Sequence, residues 1–423
     1  MTNPIIGYVG MTHLGINSAV AAADRGFELV CYDPDPLVVA ELDRGKLPVT
    51  EPDLPELLQK NAHRIKFTTD ANALTSCDLV YVAPDVSTDD TGRSDLERID
   101  ALIRHVDEVL GPETVMVILS QVPPGFTRAR MRPGRHLYYQ VETLIFGRAM
   151  ERARFPERFI VGCADPAQQL PPVLAHFLGS YCCPILPMRY ESAELAKISI
   201  NMCLVASVST ANTLAELCEK IGADWSEIVP ALKLDKRIGQ HAYLAPGLGI
   251  AGGNLERDLA TVCNFADRYG TDARVVEAWV ANSNYRRDWA LRTLYREIFS
   301  KLEDPVIAVL GLAYKQDTHS IKNSPAIALL EHLNHIRVRV FDPVVSAAVV
   351  PNYQCYGAIS ELDTCDGADA IVVMTPWSQF GNIDPMDIAK RLRGKVVLDP
   401  YAVLGSSACQ KAGLSYFTLG AQA

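Results

Sequence analysis

At 423 residues the chain is too long for one ordinary hydrophobic core, so two or three domains are expected. It is 48% hydrophobic and 21% charged, the balance of a globular protein rather than a disordered or fibrous one. A formal net charge of -10 speaks against nucleic-acid binding, which needs a basic patch or stripe, but leaves room for a locally basic site for an anionic ligand.

Residues 4–9 are apolar and β-like, and they follow a start, Met1-Thr2-Asn3-Pro4, without a basic region or cleavage-type signal. Residues 16–25 are Ala-rich and helical, with Gly26 where a helix stop is expected. Residues 28–32 form a short buried-type strand ending at Asp33, and residues 78–83 and 115–119 repeat the pattern. Strands separated by helical stretches imply a parallel sheet with crossover helices. Residues 191–221 contain no proline or glycine, and Leu195, Ile198, Met202 and Val205 recur at helical spacing. Such a helix would span roughly 45 Å and is expected to act as a spine, with a homodimer interface along it. Residues 286–304 read as a charged, helix-rich connector. A second α/β unit follows, with strands at 306–310, 337–341, 368–374 and 396–398 and a helix at 325–335. The expected fold is therefore two Rossmann-like parallel-sheet domains, 1–188 and 301–423, joined by a helical domain, 189–300. No stretch approaches the ~18 uninterrupted apolar residues of a membrane span, so a cytoplasmic protein without a membrane or nucleic-acid partner is expected. The eleven cysteines lack CxxC pairs and read as reduced thiols, with Cys182 and Cys183 at a strand edge and no metal site.

After the first strand comes Gly10-Met11-Thr12-His13-Leu14-Gly15, a GxGxxG fingerprint with threonine in the second glycine position. The outer glycines allow the tight turn and close helix packing, so that helix N-terminal N–H groups face a pyrophosphate. Asp33 follows Gly15 by 18 residues, where an acid hydrogen-bonds a ribose 2′-hydroxyl. A carboxylate there repels a 2′-phosphate, so NAD is the expected cofactor. The Thr12 Cβ takes up space where backbone must approach phosphate, which weakens or displaces the cofactor. His13 reads as a loop residue.

Seven further segments, in order, resemble the UDP-glucose/GDP-mannose dehydrogenase family over nearly the whole chain. They are Glu51-Pro52-Asp53-Leu54 (EPGL in the family), Ser120-Gln121-Val122-Pro123-Pro124-Gly125 (STVPxG), and 141–147 (PEFLREG). Then come Glu194-Leu195-Ala196-Lys197 with Asn201 (ExxKxxxN) and Asp235-Lys236-Arg237-Ile238-Gly239 (DPRIG). The last two are Pro246 to Gly252 with Asp258 (PGxGFGGSCxPKD) and 311–315 with Ser324-Pro325 (GLAFK…RESP). The resemblance implies an NAD domain, a central helical dimerisation domain and a C-terminal domain that helps hold the nucleotide. It also implies oxidation of a UDP-sugar's primary alcohol twice, through a cysteine-bound thioester, to a uronic acid. A biosynthetic setting such as surface polysaccharide precursors goes with it.

The resemblance assigns Lys197, Asn201, Asp258 and Glu142 to catalysis. Lys197 and Asn201 are spaced i, i+4, so an ammonium and an amide share one helix face and can stabilise an alkoxide, with Asp258 as base or water-orienting group. It assigns Ser120 and Glu142 to the cofactor, beside Gly10, Thr12, Gly15 and Asp33. It assigns Leu144, Lys197, Asn201, Arg237, Gly249, Gly252, Lys315 and Lys322 to the substrate. Arg237 would fork a phosphate oxygen pair and can reach a neighbouring subunit's site, and the glycines allow close backbone approach.

The family's nucleophilic cysteine falls at Asn254, whose amide has no thiolate. Cys263 is expected on the next helix, and Cys203 faces away from Asn201. The second glutamate of PEFLREG is Phe146, the threonine of STVPxG is Gln121, and the RESP arginine is Lys322. The covalent nucleophile and the hydrolytic carboxylate both serve the second half-reaction. The expected activity is therefore an NAD-dependent oxidation of a nucleotide sugar that avoids the thioester route and either stops after one two-electron step or runs as a reversible redox reaction on the bound nucleotide sugar. An ordinary uronate-forming 6-dehydrogenase, a catalytically silent nucleotide-sugar-binding partner protein and a two-domain hydroxy-acid dehydrogenase stand as alternatives. The last is opposed by the second α/β unit.

Overall fold

The computed structural model describes residues 3–89 and 94–422 in two compact units, Met1–Ile200 and Asn201–Ala423. The first is built on an eight-stranded sheet. Its strands are β1 (Ile5–Val9), β2 (Glu28–Tyr32), β3 (Ile65–Thr68), β4 (Leu79–Val82), β5 (Val115–Ile118), β6 (Leu137–Gln140), β7 (Phe159–Cys163) and β8 (Ile185–Arg189). They lie in the order β3-β2-β1-β4-β5-β6-β7-β8. β1 and β4 are near-continuous apolar runs because both faces are covered. Ile6 and Tyr8 enter the core that holds helix His13–Asp24, while Val9 enters the one that holds helix Glu97–Val109.

The expected parallel sheet is corrected at one place. β6 and β7 pair antiparallel, whereas the other described pairings of this sheet are parallel. The chain leaving β6 does not cross back over the sheet. It becomes a loop and the short helix Ala149–Arg154, whose Met150 packs with Leu14 and Ile16 of the first helix, and it re-enters the sheet at the end where β6 left it.

The second unit carries a six-stranded, wholly parallel sheet of β9 (Val306–Leu310), β10 (Arg337–Phe341), β11 (Cys355–Gly357), β12 (Ala370–Val373), β13 (Val396–Leu398) and β14 (Ser415–Phe417). Its order, β11-β10-β9-β12-β13-β14, repeats that of the first six strands of the other sheet. The repetition reaches the atoms. Gly10 and Gly311 both have positive φ, 88° and 93°, and each donates its N–H to the end of the second strand, Tyr32 or Phe341. Both first strands are pinned through an aspartate before the fourth strand, Asp78 on the Ile5 N–H and Asp369 on the Val306 N–H.

Between the sheets in chain order lie the helices Tyr190–Ile221, Trp225–Leu234, Asn254–Tyr269, Arg274–Arg287 and Trp289–Leu294, the last running on into a π-helical turn at Tyr295–Phe299. Helix Tyr190–Ile221 has 32 residues. By length and composition it could cross a membrane, its most apolar window averaging a hydropathy of 1.3. Its ends are packed as protein core, however: Tyr190 and Ala193 in the first unit, Ala211, Ala215 and Cys218 in the second.

Helix ends shift from the sequence reading. The first helix begins at His13 rather than residue 16, because Thr12 already accepts the Ile16 N–H. The helix expected to reach residue 335 stops at His332, where the Asn352 amide takes the carbonyls of Leu333 and Ile336. The described cysteines are free thiols. Burial raises several of them, Cys77 to about 12.

Glu194 sets the start of the long helix. It is fully buried and accepts the N–H groups of Gly125 (2.6 Å) and Thr127 (2.8 Å). Glu194→Ala orphans a buried donor at Thr127 and a part-buried one at Gly125, the buried one worth about 1–3 kcal/mol. The expected result is a lower urea midpoint for the first unfolding transition; an unchanged midpoint would contradict the assignment.

Candidate functional site

In the first unit the site begins at the turn after β1. A Cβ on Gly15 would lie 1.9 Å from the Gly10 carbonyl oxygen, so the closing glycine of the fingerprint is sterically required. Asp33, at the end of β2, is buried at 1% exposure and accepts the N–H groups of Met11 (2.7 Å) and Asp35 (3.0 Å). A carboxylate offers about four acceptor positions, so this one grips the turn and retains capacity for a hydroxyl. The glycine cradle and the acid fit NAD.

Thr12 does not cap its own helix. Its hydroxyl instead accepts the N–H of Asp85, 2.8 Å away in the loop after β4. That loop brings the Asp85 carboxylate to 3.4 Å from the Leu14 N–H, in the first turn of the helix. An exposed acid thus sits among the donors that serve a pyrophosphate, a feature with no signal in the fingerprint. Ser120 is fully buried and its hydroxyl donates to the Pro84 carbonyl at 2.5 Å, tying the loops after β4 and β5 together.

Two further groups stand in this unit. Lys197 Nζ lies 2.7 Å from Glu142 Oε1, both side chains largely buried, and the other Glu142 oxygen accepts the Leu144 N–H at 2.9 Å. The motif-derived set of Glu142, Leu144 and Lys197 is thus brought together. The second group was not anticipated. His13, the first residue of the helix rather than a loop residue, places Nε2 2.8 Å from Glu51 Oε1 in a buried pair. Phe146 stacks on the imidazole, with ring centroids 4.1 Å apart.

In the second unit Asn201 Nδ2 donates to Asp258 Oδ2 at 2.5 Å, and Arg257 Nε lies 3.4 Å from the other Asp258 oxygen. All three are buried. Asp258, expected as base or water-orienting group, holds the Asn201 amide. Gly249 and Gly252 have φ of 77° and 81°, and a Cβ would meet the Ser283 carbonyl oxygen at 2.4 Å or the Tyr314 ring at 2.9 Å. The Gly252 N–H donates to the Lys322 carbonyl at 3.1 Å. The Lys315 ammonium lies 5.8 Å from the Tyr314 ring centre. Arg237 is exposed and forks onto Asp235, with Nη2 to Oδ2 at 2.6 Å.

Asn254 is not in a loop. It is the exposed first residue of helix Asn254–Tyr269, and Cys263 lies on that same helix rather than the next. Nine residues turn a helix through about 900°, leaving Cys263 on the opposite side from Asn254. Between Asn254 and Asp258 stands Glu256, whose carboxyl burial pushes up to about 7 despite Lys322 and Arg287. The sequence reading passed over it, because burial is not visible in a motif.

Replacing Asp85 with asparagine removes a negative charge from the helix N-terminus, an interaction of about 0.3–1 kcal/mol. NAD should then bind up to about fivefold more tightly at low salt, the gain fading as salt screens it. Fluorescence titration with NADH reads this directly, and weaker or unchanged low-salt binding would refute it.

Three successive segments match one family: residues 5–175 its NAD binding domain, 191–285 its central domain and 308–406 its UDP binding domain. The chain is 26% identical to a UDP-glucose 6-dehydrogenase of Rickettsia conorii, covering 99% of each chain. It is 28% identical to the UDP-glucose 6-dehydrogenase of Pseudomonas aeruginosa, over 97% of this chain and 96% of that one. The solved UDP-glucose dehydrogenase from the archaeon Pyrobaculum islandicum superposes with a TM-score of 0.85 at 26% identity, over 99% of this chain and 98% of that one. Fold, turn and acid agree with these matches: the protein is an NAD-dependent dehydrogenase with a nucleotide-sugar substrate, and the chain belongs to the UDP-glucose/GDP-mannose dehydrogenase family.

Proposed function

We propose that this chain oxidises one carbinol carbon of a UDP-hexose in a single two-electron step and releases the carbonyl product without a thioester. The observation that carries this reading is Asn254. The family's thiol position maps onto an exposed carboxamide at a helix start, and Cys263 lies on the far side of that helix. Phe146, which maps onto the hydrolytic glutamate, is a ring stacked on His13. Both substitutions remove the second half-reaction and leave the first intact.

The roles proposed for the chain's own residues follow from their partners. Gly10, Thr12, Gly15, Asp33 and Ser120 shape the cofactor turn. NAD supplies the hydride acceptor when bound. Glu142 holds the Lys197 ammonium, and Asp258 orients the Asn201 amide one helical turn further on. Lys197 and Asn201 then stabilise the alkoxide as the hydroxyl proton leaves. Leu144, Arg237, Gly249, Gly252, Lys315 and Lys322 hold the nucleotide sugar. The three-domain division at 188 and 300 and a cytoplasmic location belong to the same reading.

Incubation with NAD and a panel of UDP- and GDP-sugars tests the proposal by product stoichiometry. One NADH per sugar and an aldehyde or ketone are expected. The double variant Asn254→Cys, Phe146→Glu is expected to move the product toward the acid and two NADH. A uronate with two NADH from the unaltered protein would overturn the one-step reading, and no NADH with any sugar would favour a silent binding protein.

A homodimer along the long helix is part of the proposal. Leu214, Leu217 and Ile221 are exposed at i, i+3, i+7, an apolar stripe along the C-terminal part of the long helix. Leu217→Glu should shift the mass measured by light scattering from dimer to monomer; a wild-type monomer would exclude this interface.

A further inference from the structure

We propose that His13 and Glu51 are positioning residues for sugar oxidation. Together with Phe146 they form a clasp that fixes residues 141–149 against the cofactor turn. This rests on the proposed function, because it takes that segment as the one that meets the sugar.

The geometry joins three distant stretches of the first unit. His13 opens the helix behind the dinucleotide turn. Glu51 stands ahead of helix Leu54–Asn61. One Glu51 oxygen takes both His13 Nε2 (2.8 Å) and the Gly147 N–H (2.9 Å), and the other takes the Ala149 N–H (3.2 Å). Phe146 covers the imidazole at 4.1 Å, nearly parallel at 24°. His13 and Glu51 are 7% and 3% exposed, so solvent does little to screen the pair. Burial alone would raise the Glu51 carboxyl; the His13 bond and the two backbone donors outweigh it and hold the group below its usual range.

What the clasp secures is chemical. Residues 141–149 include Glu142, which meets Lys197, and Leu144, whose N–H Glu142 accepts. Glu51 anchors the far end of the same loop at Gly147 and Ala149. The loop is therefore bound at both ends, by Lys197 at one and by the cofactor turn at the other. A shift of about 1 Å in such a segment is enough to cost a hundredfold in rate. Neither clasp residue touches the reacting atoms in this account; both act through the loop. Phe146 finds its place in the same arrangement, its ring stacked on the imidazole of His13.

Three variants separate positioning from general damage. His13→Phe keeps a ring to stack and loses the bond to Glu51. Glu51→Gln presents an amide donor toward N–H groups that need acceptors. His13→Gln restores a donor to Glu51 without the ring. Hydrogen exchange on residues 141–150 and steady-state kinetics are measured for each. Expected for the first two is faster exchange of the Gly147 and Ala149 amides. KM for the nucleotide sugar should rise about tenfold, with that for NAD unchanged. His13→Gln should recover most of both. Unchanged exchange and unchanged sugar KM would overturn the clasp. So would equal losses for sugar and NAD, which denote a damaged cofactor turn. Exchange is read without ligand, so it decides the clasp even if wild-type protein turns over no nucleotide sugar, an outcome that counts against the proposed function alone.

Discussion

One polar stripe on one helix gathers the charged and polar partners around it. Glu194, Lys197 and Asn201 follow at i, i+3 and i+7 of Tyr190–Ile221, a spacing that puts them on a single face. Each is held differently: Glu194 by the Gly125 and Thr127 amides, Lys197 by Glu142, Asn201 by Asp258. A buried carboxylate, an ammonium and an amide are all costly to bury unpaired, and each has its own partner within its unit.

Much of this was legible in the amino-acid sequence, for identifiable reasons. β2, β9, β10 and β13 have the bounds read from composition, because short β-branched runs between turn residues have few alternatives. Helix ends were less legible. The first helix starts three residues early because its first turn is settled by contacts to Asp85 and Glu51, which are remote in sequence. The antiparallel β6–β7 pairing was invisible for the same reason: it depends on where a loop packs, not on the strands themselves. The ordered motifs led to Glu142, Lys197, Asn201 and Asp258, but not to which of them pair. His13 was set aside as a loop residue because its partner lies 38 positions away.

The departures from the family pattern make local sense together. Phe146 takes the place of an acid and lies over the imidazole of His13, beside Glu51. Thr12 takes the place of a glycine and uses its hydroxyl to hold the loop that carries Asp85. In each case the larger side chain is accommodated by a contact that a smaller or charged residue could not make. Substitution and surroundings are matched, as expected where local choices agree with the fold.

The two sheets end their second strands in the same way, with Asp33 and Asp342, yet the acids are not equivalent. Asp33 receives two backbone N–H groups. Asp342 receives those of Leu312, Ala313, Val344 and Val345 as well as the Trp377 indole N–H. With about four acceptor positions on a carboxylate, the second acid is saturated from within its own fold. A diol arriving at that strand end would find no free acceptor position on Asp342. The protein thus contains one turn geometry twice over, with the strand-end acid open to a further donor in the first copy and saturated in the second.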